Sequence, residues 1–269
     1  MATLNPFTPA RRVVLKIGSA LLVSPDTGEL KTAWLTALCA DLAKYREAGA
    51  EFVIVSSGAI ALGRARLGLL GQSLSLPEKQ ACAAAGQSLL TQGYEKALAE
   101  HDIVTAQALL TLTDTEVRRR WLNARQALET LLRLGAVPII NENDTVATDE
   151  IRYGDNDRLA ARTAQMLGAD TLILLSDIDG LYTADPRSNK DASHIPVIDK
   201  ITPDIIAMGG APNAAANVGT GGMATKLAAA QIAAKAGCYM CIIDGHPLAP
   251  LSRLAGGEVC SWFKPVANP

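Results

Sequence analysis

The chain has 269 residues, 49% of them hydrophobic, enough to bury one large α/β core, and a single domain is expected. With 25 Lys and Arg against 27 Asp and Glu, the net charge of -2 supplies no field that would draw a polyanion or an acidic membrane, so nucleic-acid and membrane partners are not expected and any phosphate must be gripped locally. No apolar run approaches the roughly 18 to 20 residues that span a bilayer, the opening MATLNPFTPARR lacks the apolar core of a signal peptide, and the 5 cysteines are scattered, which points to a reducing cytoplasm.

From the N-terminus, strands are expected over 12–17 (RVVLKI) and 51–56 (EFVIVS), apolar runs rich in β-branched residues, with a helix over 31–48 between them. A helix over 77–99 and a strand over 103–109 come next. The helix expected over 114–134 has the clearest end signals: Thr113 and Glu116 have capping-box spacing, and Gly135 stands where a left-handed C-terminal residue is wanted. A strand over 136–140, a helix over 156–167, a strand over 171–175, a helix over 223–236 and a strand over 238–243 complete the alternation. Before the last helix, 207–222 (AMGGAPNAAANVGTGG) reads as a mobile loop. Such alternation implies an α/β fold with a mostly parallel sheet covered by helices on both faces.

In such a sheet ligands bind outside the carboxyl ends of the strands. Those ends read Lys16-Ile17-Gly18-Ser19, Ser56-Ser57-Gly58, Asn141-Glu142-Asn143-Asp144 and Ser176-Asp177, a floor for a charged, polar ligand. Lys16 lies in an apolar run, where an unpaired ammonium is expensive, so it needs an anionic partner. A structural salt bridge satisfies that need; so do phosphate oxygens, given the free amides of Gly18 and Ser19 beside it. The segment Tyr153-Gly-Asp-Asn-Asp157 opens a helix, where acids serve as caps or dipole partners, but the density of Asn141, Asn143, Asp144, Asn156 and Asp157 exceeds what a cap requires. Such a group can grip an amino acid's ammonium and carboxylate, orient lysines, or help hold Mg²⁺.

Gly219 to Lys226 (GTGGMATK) runs into a helix whose N-terminus, with Lys226 in its first turn, suits a phosphate; an ordinary glycine-rich helix entry is the plainer alternative. No G-x-x-x-x-G-K-[ST] segment marks a P-loop. Gly219, Gly221 and Ala224 satisfy G-x-G-x-x-A, with Asp244 placed as a ribose-binding acid would be, yet 211–218 is a poor strand to precede a dinucleotide fingerprint. Cys238 and Cys241 are read as buried thiols on opposite faces of a strand, Arg118 to Arg120 as a solvated face, and His101, His194 and His246 as isolated.

The segments VVLKIGSALL, VIVSSGAIALG, WLNARQAL, VPIINENDTVATDEIRYGDND, LLSDIDGLYTADPR and GTGGMATKLAAA, in this order, resemble the glutamate 5-kinases of the amino acid kinase superfamily over nearly the whole chain. Acetylglutamate kinases would carry two glycines after the first lysine, and uridylate kinases a different glycine loop. Acetylglutamate or aspartate kinase remains the alternative within the superfamily; a dinucleotide-dependent oxidoreductase and a non-catalytic storage or regulatory member are the alternatives beyond it.

The resemblance implies a three-layer αβα sandwich, a carbamate kinase-like fold with a mostly parallel central sheet. It divides 1–269 into a lobe of about 1–165 on the amino-acid side and one of about 166–269 on the nucleotide side, without the C-terminal PUA domain of many members. It implies ATP as cosubstrate with Mg²⁺ carried on it, formation of γ-glutamyl phosphate from L-glutamate in the first step of proline biosynthesis, feedback inhibition by proline, and a homo-oligomer. Position by position, Lys16 and Lys226 would contact the transferring phosphate oxygens, with Asp157 orienting both. Ser57, Gly58, Asp144 and Asn156 fall at the glutamate positions. Gly18, Ser19, Ser176 and Asp177, with Thr220, Gly221, Gly222, Met223, Ala224, Thr225 and Lys226, fall at the nucleotide positions. No protein ligand to the metal is assigned.

Overall fold

The computed structural model describes residues 5–7, 10–146, 156–210 and 222–266. In chain order, β1 (Arg12–Ile17), α1 (Ser19–Leu22), α2 (Thr32–Glu47), β2 (Glu51–Ser56), α3 (Ala59–Arg66) and α4 (Leu76–Ala99) come first. They are followed by β3 (Thr105–Leu110), α5 (Leu112–Glu116), α6 (Arg118–Arg133), β4 (Val137–Glu142), α7 (Asn156–Leu167) and β5 (Thr171–Ser176). The remainder comprises β6 (Leu181–Tyr182), β7 (His194–Ile195), β8 (Val197–Ile198), α8 (Pro203–Met208), α9 (Met223–Lys235), β9 (Tyr239–Asp244), α10 (Pro250–Ala255) and β10 (Cys260–Phe263).

Among the described residues, one eight-stranded sheet runs in the order β3-β4-β2-β1-β5-β9-β10-β8. The β1, β2, β3, β4, β5 and β9 pairings are parallel, and β10 joins β9 antiparallel. The order reverses at β1, which has β2 on one side and β5 on the other, so a crevice opens beyond the carboxyl ends of the central strands.

Alternation along β1 decides what lies on each face of the sheet. Val13, Leu15 and Ile17 join a core cluster with α2, α4 and α10 through Leu38, Leu90, Tyr94 and Leu251. Val14 joins a second cluster on the opposite face, with Leu128 and Leu132 of α6, Ala160 and Ala164 of α7, and Ala229 and Ala233 of α9. Helices on both faces make the three-layer αβα sandwich that the alternation implies. Lys16, two residues beyond Val14, is thereby directed toward the α7 and α9 side.

Close packing on the other face matters equally for the site. A Cβ added at Gly86 of α4 would stand 1.8 Å from the Ala59 carbonyl of α3, and one at Gly63 of α3 would stand 1.8 Å from the Cys82 carbonyl of α4. The two glycines let backbone lie on backbone. Helix α3 starts at Ala59, with Gly58 as its cap and Ser57 just before, so this contact brings α4 against the end of β2.

Three expectations need correction. The helix expected over 114–134 is two helices: the capping box is Thr111 with Asp114, where the Thr111 N–H donates to Asp114 Oδ2 at 2.7 Å and Asp114 N–H to Thr111 Oγ1 at 3.3 Å. Helix α5 ends at Val117, whose extended backbone (φ -76, ψ 112) separates it from α6. The stop expected at Gly135 is present, with Gly135 N–H on the Leu132 carbonyl and Ala136 N–H on the Leu131 carbonyl. The loop expected over 207–222 begins late, because α8 runs to Met208 from a Thr202 cap and a Pro203 start; residues 211–221 lie outside the described residues. The histidines are not all isolated: His246 Nδ1 lies 2.7 Å from Asp244 Oδ1, and His194 Nε2 lies 3.2 Å from Ser261 Oγ. The Ser261 partner is 67 residues away in sequence.

Short elements escaped the periodicity reading, namely α1, α3, α8, α10 and strands β6, β7, β8 and β10. Cys238 and Cys241 are buried free thiols packed into opposite core clusters, and Arg118 to Arg120 are exposed. Among the described residues no helix is long and apolar enough to cross a membrane.

Candidate active site

Lys16 and Lys226 converge on Asp157. Lys16 Nζ lies 2.7 Å from Asp157 Oδ1 and Lys226 Nζ lies 3.2 Å from Asp157 Oδ2, and the Thr225 hydroxyl donates to Oδ2 at 2.9 Å. Asp157 is fully buried, and the lysines are 7% and 5% exposed. Three different elements supply the groups. Lys16 comes from the carboxyl half of β1, Asp157 from the first turn of α7 and Lys226 from the first turn of α9. A carboxylate in a first helical turn is favoured by the dipole, whereas a lysine there is not, so the carboxylate explains why Lys226 tolerates its position.

With both lysines protonated, the triad carries one surplus positive charge. Burial is the largest influence on Lys16 and lowers its pKa; Asp157 opposes this and the like charge of Lys226 adds to it. Burial pushes the Asp157 carboxyl up, but the two lysines and the Thr225 hydroxyl together hold it well below the usual carboxylate range. Asp177 adds a weaker attraction to both lysines, and two dry ammonium groups that share the Asp157 carboxylate suit the oxygens of a phosphate.

A second group, made of neutral side chains, stands beside the triad at the next position of α7. Asn156 Nδ2 lies 2.7 Å from Ser57 Oγ, 3.0 Å from Asn141 Oδ1 and 3.4 Å from the Ser56 carbonyl. Ser56 Oγ in turn lies 2.9 Å from the hydroxyl of buried Tyr94. Gly58 caps α3 in a left-handed conformation (φ 111), and a Cβ there would stand 3.8 Å from Ser19 Cα, so the turns after β1 and β2 touch. Asp144 makes no hydrogen bond or ion pair among the described residues, and burial pushes its carboxyl up to about 6.

Around the triad, Gly18 caps α1, and a Cβ there would stand 3.9 Å from Lys16 Nζ; Ser19 opens the same helix. Ser176 is buried at the end of β5, with its hydroxyl on Asp177 Oδ1 at 3.2 Å. Asp177 also meets Arg187 at 2.7 Å. Burial raises the Asp177 carboxyl, but the Arg187 hydrogen bond, its charge and that of Lys226 outweigh this and hold it low. Gly222 caps α9, with Met223, Ala224 and Thr225 following in the first turn, while Thr220 and Gly221 lie outside the described residues, as do Tyr153, Gly154 and Asp155.

Residue-type reasoning passed over Arg187, Gln87 and the individual role of Asn141. Arg187 sits in a loop and carries no local signal. Gln87 had one: it interrupts a stripe of buried α4 positions, Ala83, Leu90 and Tyr94, at helical spacing.

The sequence model of the Amino acid kinase family matches residues 11–244, which covers both lysines and Asp157. The chain belongs to the amino acid kinase family. Among its relatives in that family, the glutamate 5-kinase of Caulobacter vibrioides (strain NA1000 / CB15N) is 61% identical over 263 residues, spanning 98% of this chain and 70% of that protein. The glutamate 5-kinase of Paramagnetospirillum magneticum is 56% identical over 266 residues, spanning 99% and 71%. Of solved amino acid kinase-like folds, a carbamate kinase from Giardia lamblia bound to AMP-PNP superposes with a TM-score of 0.66 at 15% identity, covering 96% of this chain and 100% of that one. A UMP kinase from Ureaplasma parvum gives 0.64 at 14% identity, covering 94% and 98%. At these identities the solved structures speak to the fold alone.

Proposed function

We propose that this amino acid kinase transfers the γ-phosphoryl group of ATP to the γ-carboxylate of L-glutamate, giving γ-glutamyl phosphate and ADP as the first step of proline biosynthesis. The observation that carries the reading is the convergence of Lys16 and Lys226 on buried Asp157 at the crevice. The identity of 55–61% to glutamate 5-kinases over nearly the whole chain supports glutamate over acetylglutamate or aspartate.

A γ-carboxylate oxygen forms the new bond to phosphorus while the bond from phosphorus to the bridging β,γ-oxygen breaks, and ADP leaves with that electron pair. The attacking carboxylate is already ionised at pH 7, so no general base is required. Most of the catalytic work is then positioning and stabilising charge on the equatorial oxygens. Lys16 and Lys226 are assigned to that charge, Asp157 to holding them, and Gly222 to Lys226 with Gly18 and Ser19 to the nucleotide's phosphates. Asp157 and Asp177 are already engaged by Lys16, Lys226 and Arg187, so Mg²⁺ fits as an ion carried on the nucleotide. Ser57, Gly58, Asp144 and Asn156 are assigned to glutamate, with Asp144 facing its ammonium.

The same reading includes a cytoplasmic location, proline as feedback inhibitor, a homo-oligomeric state, and an amino-acid side and a nucleotide side divided near residue 165; the resemblance to glutamate 5-kinases supports these. The decisive experiment is a coupled ADP-release assay across glutamate, acetylglutamate, aspartate and UMP, run with wild type and Lys226→Ala. Glutamate is expected to be the acceptor, with kcat of the variant down by roughly 10² to 10³ or more, the scale of losing one preorganised donor. Near-normal turnover in Lys226→Ala would remove it from the mechanism.

A further inference from the structure

Helix α4 buries one polar side chain among apolar neighbours. Gln87 is 9% exposed and lies in the same stripe as Ala83, Leu90 and Tyr94. A buried carboxamide is costly unless its hydrogen bonds are made. Those of Gln87 form a polarised line. Its Oε1 accepts from Asn141 Nδ2 at 2.8 Å, and its Nε2 donates to Thr91 Oγ1 at 3.3 Å. Asn141 Oδ1 accepts from Asn156 Nδ2 at 3.0 Å and from the Glu142 backbone N–H at 2.9 Å. From Asn156 through Asn141 to Gln87 and Thr91, each amide donates to the oxygen of the next residue.

The consequence falls at the near end of this line. The donors of Asn156 are all directed inward, to Asn141, Ser57 and the Ser56 carbonyl, while its Oδ1 has no partner among the described residues. A buried acceptor without a partner is a place for a ligand donor. We infer that Gln87 is a positioning residue for the amino-acid substrate: through Asn141 it holds Asn156 so that Oδ1 stands ready to accept from the substrate's ammonium group. The Gly86 contact with α3 makes this possible, because it seats α4 close enough for a side chain to reach β4. This inference rests on the reading of Asn156 as a glutamate-binding residue.

Steady-state kinetics of the full chain test it. Gln87→Met keeps the volume but removes the acceptor facing Asn141, and is expected to raise the glutamate KM about tenfold while the ATP KM stays within about twofold. Gln87→Glu restores an oxygen at that place and should recover most of the loss. Asn156→Ala should raise the glutamate KM by itself, and adding Gln87→Met to it should do little more, because the effect passes through Asn156. An unchanged glutamate KM in Asn156→Ala would sink the glutamate reading itself. A raised KM there with no change in Gln87→Met, or with the full Gln87→Met effect persisting in the double variant, would overturn the role of Gln87 alone. If Gln87→Met does not fold, Thr91→Val, which removes the last acceptor of the line along with that hydroxyl's own bonds to the Gln87 carbonyl and Gln107 Oε1, must still raise the glutamate KM over the ATP KM; no rise overturns the inference.

Discussion

On one side of the crevice Lys16, Asp157 and Lys226 meet as three ionised groups, whereas on the other Ser57, Asn141, Asn156 and Gln87 bond to one another with no charge among them. Adjacent residues at the start of α7, Asn156 and Asp157, belong one to each wall. The charged wall is tuned by burial and by the count of cations and anions; the amide wall is tuned by which atoms remain as donors or acceptors. A phosphoryl group in transfer calls for the first kind of recognition and a free amino acid for the second, so the walls should fail differently when disturbed.

Asp157→Asn should show the largest effect, because it leaves two buried ammonium groups facing each other. A loss of roughly 10³ in kcat is expected, together with about 3–5 kcal/mol of stability from breaking a buried ion pair, read from the urea midpoint. Lys226→Ala leaves the Lys16–Asp157 pair intact and should fold well, so equal stability loss in both variants would contradict the account of the charged wall. Next in size, Asp144→Ala should raise the glutamate KM by about tenfold or more, with little change for ATP. An unchanged glutamate KM would take Asp144 out of the amino-acid side.

The pH profile separates the walls without mutation. Asp144 must be ionised to hold an ammonium, and burial places its carboxyl at about 6, so the glutamate KM should climb as the pH falls through that value, by about tenfold per unit. The ATP KM should stay flat there, because Asp157 and Asp177, the carboxylates on the nucleotide side, are held below the usual carboxylate range. On the alkaline side the depressed pKa of Lys16 predicts that ATP binding weakens before an ordinary lysine would titrate. A glutamate KM flat from pH 7 to 5 would contradict the assignment of Asp144. The smallest effect is expected from Arg187→Ala: its pair with Asp177 is exposed to solvent and worth about 0–1 kcal/mol, so the ATP KM should move by no more than about fivefold.

The long elements and the ends of the strands were readable because apolar periodicity and burial are the same fact seen in one and three dimensions. The six strand segments from 12–17 to 238–243 all appear, 12–17 and 51–56 at their expected bounds and the others displaced by at most two residues. Short pieces such as α3, α8 and β10 carry too few residues to show a period, and the box at Thr111 and Asp114 was hidden by a better-looking pair two residues later. Lys16 was legible as a buried cation in need of an anion, from β1 alone. That its partner would be Asp157, shared with Lys226, came only with the resemblance to glutamate 5-kinases.

By itself, then, the amino-acid sequence determined that a parallel-rich α/β sheet forms and that polar groups collect at its carboxyl edge, because side-chain alternation and strand ends are local properties. Tertiary structure decided which of those groups touch. The bond from Asn141 to Gln87 spans 54 residues and that from Lys226 to Asp157 spans 69, and no local signal encodes distances set by the stacking of α4, α7 and α9 on the sheet. The polarity of the amide line, and the Asn156 acceptor it leaves without a partner among the described residues, follow from that packing.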